Sequence, residues 1–550
     1  MVWIAAHAFA VFALAVLCHG LGRAAIDRLP CASASLRAVI ATGLGFGFFG
    51  QALFALGSVG ALTRPFVVAL LGVMAIAAAR YLRELWMLAR RTPIVVLLLL
   101  AAGSALTFLR ALYPPLGWDA TMYHLTYARL FADEGALVYA GFLRFPVFPQ
   151  LNEMLFTASL LVADDVTAQL TQWLCFAVTA AAIVAIARAA GSDRAGALLG
   201  AAIWFSIPLV SYLGSHAYID CGLTMAVTLA FAAWMQWRST AHEGWLVLTG
   251  AFAGMAAAMK YHGLFFIAFF GIAVVVVSRQ RRIRNAALFS LGVIITAAPW
   301  YLRIAAWTGN PLFPYFTNIF GANDWGLTLY HSRQRMGMSL YNLRLFIPAL
   351  LLPAAAGAFI ERRVRFLFLG AVAYAIAVWR LDSRFMLVSI PLLAVCAAAA
   401  VPPRMRRALV FVALLPGIVV GWRDLARLGT IPRNAAQREA FLSTHVWPYR
   451  ALRFLERTAG TRHTVYAYNG AEAAYYWRGR YLGDWFGPQR NQFIRPYLQQ
   501  PDRIARILRS YGADYFIIPR RYGFAPSALS AFELVYETEN ERVYRLRSGE

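Results

Sequence analysis

The stretch PIVVLLLLAAGSALTFLRALYPPLGWDATMYHLTYARL, residues 93–130, decides how the chain is read. Its first part, to about residue 112, is an apolar run. An α-helix of roughly 20 such residues crosses the hydrocarbon core of a bilayer. The run then gives way to the first long polar loop of the chain, where Asp119 and His124 stand among Trp118, Tyr123 and Tyr127. Ionisable groups at a membrane boundary are costly to keep and point to function.

The rest of the chain fits that setting. It has 550 residues, 60% of them hydrophobic and 14% charged, with a mean hydropathy of +0.58. Soluble domains run at about 45–50% apolar and about 25% charged. Further apolar runs include AAHAFAVFALAVLC (5–18) and GLFFIAFFGIAVVVV (263–277). The first has no basic segment before it and no small-residue cleavage site after it, so a retained helix is expected. The net charge of +25 does not imply nucleic acid, because the cations punctuate the ends of apolar runs. That placement suits anionic membrane lipid and sets orientation. Lys260 is the only lysine. Cys18, Cys31, Cys175, Cys221 and Cys396 form no CxxC and no disulfide or zinc framework. No repeat is visible.

The arginine clusters predict a threading of about 11–14 spans. Arg23, Arg28 and Arg37 follow the first span inside, and Arg80, Arg83, Arg90 and Arg91 follow the third. The span at about 93–112 then exits, placing the loop 113–150 outside. Residues 151–163 are short for a span and suit the interface. Arg279, Arg281, Arg282 and Arg284 give the strongest inside signal, and the loop 303–343 lies outside. Residues 1–422 read as a transmembrane unit. Beyond 423 the composition turns polar, with alternating runs such as TVYAY and RVYRL that suit half-buried strands. Residues 423–550 are expected to form a small extracytoplasmic α/β domain.

The unusual polar residues collect on the outer side. Asp119 stands before a helix-compatible run, where an N-cap would explain its type but not its aromatic setting. Tyr123 and Tyr127 suit an interfacial belt as well as a site. His124 suits a structural hydrogen bond or a phosphate contact. His216 and Asp220, four apart, would share a helix face, suiting a local hydrogen bond, a cation site or a phosphate-facing pair; Asp220 also suits a cap. Lys260 suits snorkelling, yet arginine snorkels as well, and a retained lysine suggests a compact charge for phosphate. Arg384, at the mouth of a span, suits the same two roles. Glu153, in an apolar interfacial piece, needs a partner.

These segments resemble the GT-C superfamily of membrane glycosyltransferases, which includes protein O-mannosyltransferases and lipid A aminoarabinose transferases. WDATMYHL looks like the first-loop motif with the family's catalytic aspartate, here Asp119, and YID (218–220) looks like the second acidic motif. MKYHG, TGNPLFP and SRFMLVSIP resemble recurrent segments of bacterial members. The likeness covers most of 93–402, but three spans precede the one that leads into the first loop, where better-known members have that one alone. It implies a GT-C-like fold and a polyprenyl-phosphate-linked sugar donor. It implies an acceptor hydroxyl on a glycan, lipid or protein, and transfer with inversion at the periplasmic face of a bacterial inner membrane. Asp119 would be the general base, and Lys260 and Arg384 would face the lipid phosphate. Tyr123, His124, Glu153, His216 and Asp220 would line the site. A divalent cation on Asp119 and Asp220 stays open, with no cofactor fixed. Transport or flipping of a lipid-linked solute, and O-antigen polymerisation or ligation, are the rival readings. Transporter folds are often built from repeats and broken helices at the midplane.

Overall fold

The computed structural model describes residues 2–143, 145–320, 343–483, 490–524 and 531–547. Much of the loop expected over 303–343 lies outside the described residues. The chain opens with α1 (Val2–Ala25), α2 (Ala34–Ser58), α3 (Arg64–Ala79), α4 (Leu82–Arg91) and α5 (Ile94–Ala111). After the loop carrying Asp119 come α6 (Leu125–Glu134), α7 (Leu151–Val162), α8 (Asp165–Ala189), α9 (Arg194–Ser206) and α10 (Pro208–Gly214). Then follow α11 (Asp220–Thr240), α12 (Gly244–Met259), α13 (Leu264–Val277), α14 (Arg282–Thr308) and the single turn α15 (Thr317–Phe320). The membrane part ends with α16 (Leu343–Ile360), α17 (Arg365–Val378), α18 (Ile390–Ala400) and α19 (Pro403–Leu428).

Among the described residues, seven helices are long and apolar enough to cross a membrane. They are α1, α2, α5, α8, α14, the segment Ser383–Ala400 and α19. The pairs α3–α4 and α9–α10 bend by 59° and 76°, and counting each as one span makes nine. Further expected spans fall on shorter apolar helices, including α12 and Phe346–Ile360, and α7, expected to suit the interface, is another short apolar helix. Small residues draw these helices together, as in membrane bundles generally. A Cβ on Gly250 of α12 would stand 2.0 Å from the Phe289 carbonyl oxygen of α14, and one on Gly292 would stand 2.0 Å from that of Val247. Helix α14 continues to Thr308, so residues 303–308, expected as loop, are helical.

α19 leads into a sheet domain at the end of the bundle that carries Asp119. Two helices, α20 (Ala435–His445) and α21 (Tyr449–Thr458), precede β1 (Val465–Ala467) and β2 (Tyr481–Leu482). After α22 (Arg490–Ile494) and α23 (Pro501–Ser510) come β3 (Tyr515–Pro519), β4 (Phe532–Glu537) and β5 (Glu541–Leu546). The strand order is β2-β1-β3-β5-β4, with the first three parallel and β5 antiparallel to both neighbours. The expectation of half-buried strands fails for β1, whose three residues are all buried. Val465 and Ala467 face a core with Leu452 and Leu455 of α21, while Tyr466 faces Ile504 and Leu508 of α23. Helices cover both faces, so the alternation in TVYAY selects between two cores, not between core and water.

The sheet domain is tied to the membrane part. Arg438 grips Asp165 through both guanidinium nitrogens at 3.0 and 2.5 Å, and the Tyr475 hydroxyl donates to the same carboxylate at 3.1 Å. The Tyr476 hydroxyl donates to the Pro115 carbonyl, and Arg129 donates to that of Tyr475. The turn Ala471–Tyr476 packs against residues 120–124, directly after Asp119.

Candidate active site

Asp119 does not act as a helix cap. Its backbone is already helical (φ −66°, ψ −33°) and its side chain makes no cap bond. The carboxylate instead meets the Arg384 guanidinium at 2.6 Å, with Asp119 buried. Ala120–His124 form a π-helical turn, a form common at functional sites because it re-aims side chains within a helix. Gly117 sets the approach: a Cβ there would stand 2.7 Å from Cε2 of Tyr218.

Lys260 does not snorkel. It ends α12 in extended backbone, which turns its ammonium onto Asp220 at 3.1 Å. Asp220 is the first residue of α11 and is buried. The two ion pairs share an aromatic divider: Lys260 Nζ lies 4.5 Å from the centre of the Phe385 ring, and the Arg384 guanidinium carbon lies 5.3 Å from it. All four charges act on one another. Four segments distant in sequence therefore place two acids and two bases at one end of the bundle.

A third pair supports the π-turn. His124 Nδ1 lies 2.6 Å from Glu153 Oε1, and both residues are fully buried. Glu153 thus has the partner its apolar setting requires. Tyr123 packs its ring 4.2 Å from that of His124 and edge-on to Phe145 and Phe148. Tyr123 and Tyr127 are buried, which corrects the interfacial-belt reading; the hydroxyl of Tyr127 is taken up by the Pro146 carbonyl at 2.5 Å.

His216 corrects the expectation that it shares a helix face with Asp220. Helix α11 begins at Asp220 itself, and His216 sits in the preceding turn, with Nδ1 2.8 Å from the Tyr212 carbonyl oxygen. Burial, reinforced by the Arg110 charge, pulls its pKa down to about 3. It is a neutral imidazole at pH 7 and offers no positive charge to phosphate. Sequence reading singled out neither Tyr218 nor Phe385. The Tyr218 hydroxyl accepts the Asp119 backbone N–H at 3.3 Å, and its ring lies 5.7 Å from the Arg384 guanidinium. Their available signal was adjacency, since each flanks a chosen charge within YID or SRF.

Two carboxylates each engaged by a basic side chain do not fit a metal site, and no group of three His, Cys, Asp or Glu gathers as one among the described residues.

Fold and site together define an integral membrane protein with a buried four-charge cluster under a sheet domain. Residues 137–313 match the family of dolichyl-phosphate-mannose-protein mannosyltransferases. Residues 437–545 match a family described as SF2091/S2213. An uncharacterized protein of Shigella flexneri, SF2093/S2215, is 34% identical over 135 residues, which make up 24% of this chain and 67% of that protein. ArnT from Cupriavidus metallidurans, crystallised with undecaprenyl phosphate, superposes with a TM-score of 0.53 at 16% identity, over 82% of this chain and 98% of that one. Its apo state gives 0.54 at 19%, over 82% and 97%. The chain belongs to the GT-C superfamily of membrane glycosyltransferases, in one family with the Shigella flexneri protein.

Proposed function

We propose that the chain moves a sugar from a polyprenyl-phosphate-linked donor to an acceptor hydroxyl, inverting the anomeric centre, at the periplasmic face of a bacterial inner membrane. The observation that carries this reading is the pairing of Asp119 with Arg384 at 2.6 Å beside Asp220 with Lys260 at 3.1 Å. A donor phosphate would take N–H groups from Arg384 and Lys260. That exchange would release an oxygen of Asp119, so the base becomes free only when donor is in place. Asp119 then accepts the acceptor's hydroxyl proton. The acceptor oxygen bonds to the anomeric carbon, and the bond from that carbon to phosphate breaks, its electron pair leaving on the phosphate. Lys260 and Arg384 offset the charge that develops there. Asp220 holds Lys260 in place, the Glu153–His124 pair fixes the π-turn, and Tyr123 shapes the sugar pocket. His216 supports the Asp119 loop from the side of Tyr212.

The crystallised ArnT relative with its undecaprenyl phosphate supports this donor class, and the mannosyltransferase match supports sugar transfer. The test is a purified-protein assay for release of free polyprenyl phosphate coupled to sugar transfer. Movement of lipid-linked sugar across the membrane without release would favour the transporter reading instead. For orientation, a single cysteine introduced in the sheet domain should react with an impermeant reagent in intact spheroplasts, while one at 279–284 should not; the reverse pattern would invert the topology.

A further inference from the structure

A cavity of about 490 Å³ opens at the opposite end of the bundle, where α8, α11 and α13 finish and α17 begins. Helix α11 starts at Asp220 and ends at Thr240, so this cavity stands about 30 Å from the four-charge cluster. Its lining includes Trp234, Met235, Arg238, Val277, Arg363 and Phe366. Trp234 and Phe366 stack with centroids 4.6 Å apart and planes 16° from parallel, giving it a flat apolar wall. Arg238 and Arg363 are exposed at its mouth.

The charges decide what it can hold. Some arginines on this face have acidic partners: Arg284 meets Glu243 at 2.8 Å, Arg406 meets Asp193 at 2.7 Å and Arg23 meets Glu84 at 3.0 Å. Arg238 and Arg363 have no carboxylate within salt-bridge distance among the described residues. Glu361 accepts the Arg363 backbone N–H, but not its guanidinium. Arg404, Arg407 and several other arginines of this face also lack acidic partners among the described residues, yet they are not part of the lining of this aromatic-walled cavity. Two uncompensated guanidiniums at the rim and hydrocarbon-like walls below match a phosphate headgroup with acyl chains beneath it. The volume falls within the ordinary range for small-ligand sites, about 300–1,000 Å³.

We propose that this cavity seats the headgroup of an anionic glycerophospholipid from the leaflet on the side opposite the glycosyl-transfer cluster. Arg238 and Arg363 hold its phosphate, and Trp234 and Phe366 pack against its glycerol and upper acyl carbons. The site is independent of donor chemistry, because none of its residues belongs to the cluster around Asp119.

The test uses the full chain in nanodiscs of phosphatidylcholine doped with phosphatidylglycerol, with lipid retained after mild detergent extraction counted by native mass spectrometry. Wild type should keep phosphatidylglycerol in preference to phosphatidylcholine. The double variant Arg238→Gln/Arg363→Gln should retain roughly tenfold less, since each basic residue near an anionic headgroup contributes to binding. The control Arg404→Gln/Arg407→Gln removes the same charge from the same face and should retain the wild-type amount. Equal loss in both doubles would overturn the proposal by reducing it to diffuse attraction. So would equal retention of the two lipids by wild type. Should the first double prove unstable, diazirine-labelled phosphatidylglycerol on wild type decides: crosslinks at 234–239 and 363–366 support the site, and crosslinks elsewhere alone sink it.

Discussion

Arg384 and Arg284 each hold a carboxylate at nearly the same distance, 2.6 Å to Asp119 and 2.8 Å to Glu243, at opposite ends of the bundle. Their surroundings differ. The side chains are 21% and 6% exposed in the first pair, and 61% and 31% in the second. In the second, water and salt screen the attraction, and such pairs are worth about 0–1 kcal/mol. In the first, both charges have given up most of their hydration, and removing one partner strands the other at about 3–5 kcal/mol. A buried pair is poor evidence for stability, because apolar residues often fill the same space as well. Two such pairs around one aromatic ring are better explained by chemistry than by folding.

The strongest way to break this comparison is Asp119→Asn. Asparagine keeps the size and can still accept from Arg384, and Asp382 stands 3.7 Å from the same guanidinium, so the protein should still fold, with a lowered thermal midpoint in detergent. Turnover at saturating donor and acceptor should fall by roughly 10²–10⁴-fold. Normal turnover would make Asp119 as dispensable as Glu243. Next comes Lys260→Met, which keeps the stem but strands Asp220. Donor use should weaken by about 1.5–3 kcal/mol, read as donor kcat/KM. Adding Asp220→Asn should restore thermal stability but not donor use; recovery of both would make the pair structural.

A third measurement concerns the junction of the two parts. Burial pushes the Glu472 carboxyl, in the turn packed on residues 120–124, up to about 7. Its folded pKa stands above its unfolded one, so the folded state holds the extra proton. Its stabilising contribution is fully present below about pH 4.5 and is lost as pH rises through 7. Glu472→Gln should therefore raise stability by about 1–2 kcal/mol at pH 8, after allowance for screening, and change little at pH 4. An equal shift at both values would count against a buried carboxyl. Smallest of all, Arg284→Gln should change stability by less than about 1 kcal/mol and leave turnover untouched; a larger effect would erase the contrast between the two ends.

Much of the helix pattern was legible in the sequence, because an apolar run bounded by arginine is nearly self-describing: α5 falls within a few residues of the expected span at about 93–112. The charged candidates were legible for a related reason, since a cap left the aromatic setting of Asp119 unexplained and snorkelling left the choice of lysine at 260 unexplained. Their pairing was not legible. Asp119 and Arg384 are 265 positions apart, and only tertiary packing joins them. His216 shows the opposite failure: a spacing of four implied a shared helix face, but the helix had not yet begun. Tyr218 and Phe385 stayed hidden because an aromatic residue among many carries no mark of its contact.

The π-turn at Ala120–His124 has a consequence for how the chain tolerates change in length. A π-turn holds one residue more than the α-helix around it. Each residue of an ordinary α-helix turns about 100°, and the wide turn takes up one surplus residue without passing that rotation on to its neighbours. Excising Ala120 would let the segment close to ordinary winding while α6 keeps its seat against α7 and Asp119 still faces Arg384. The surplus residue acts as slack, so this segment should withstand the loss of one alanine better than the uniformly wound α8, where a deletion would turn everything on one side of it by about 100°.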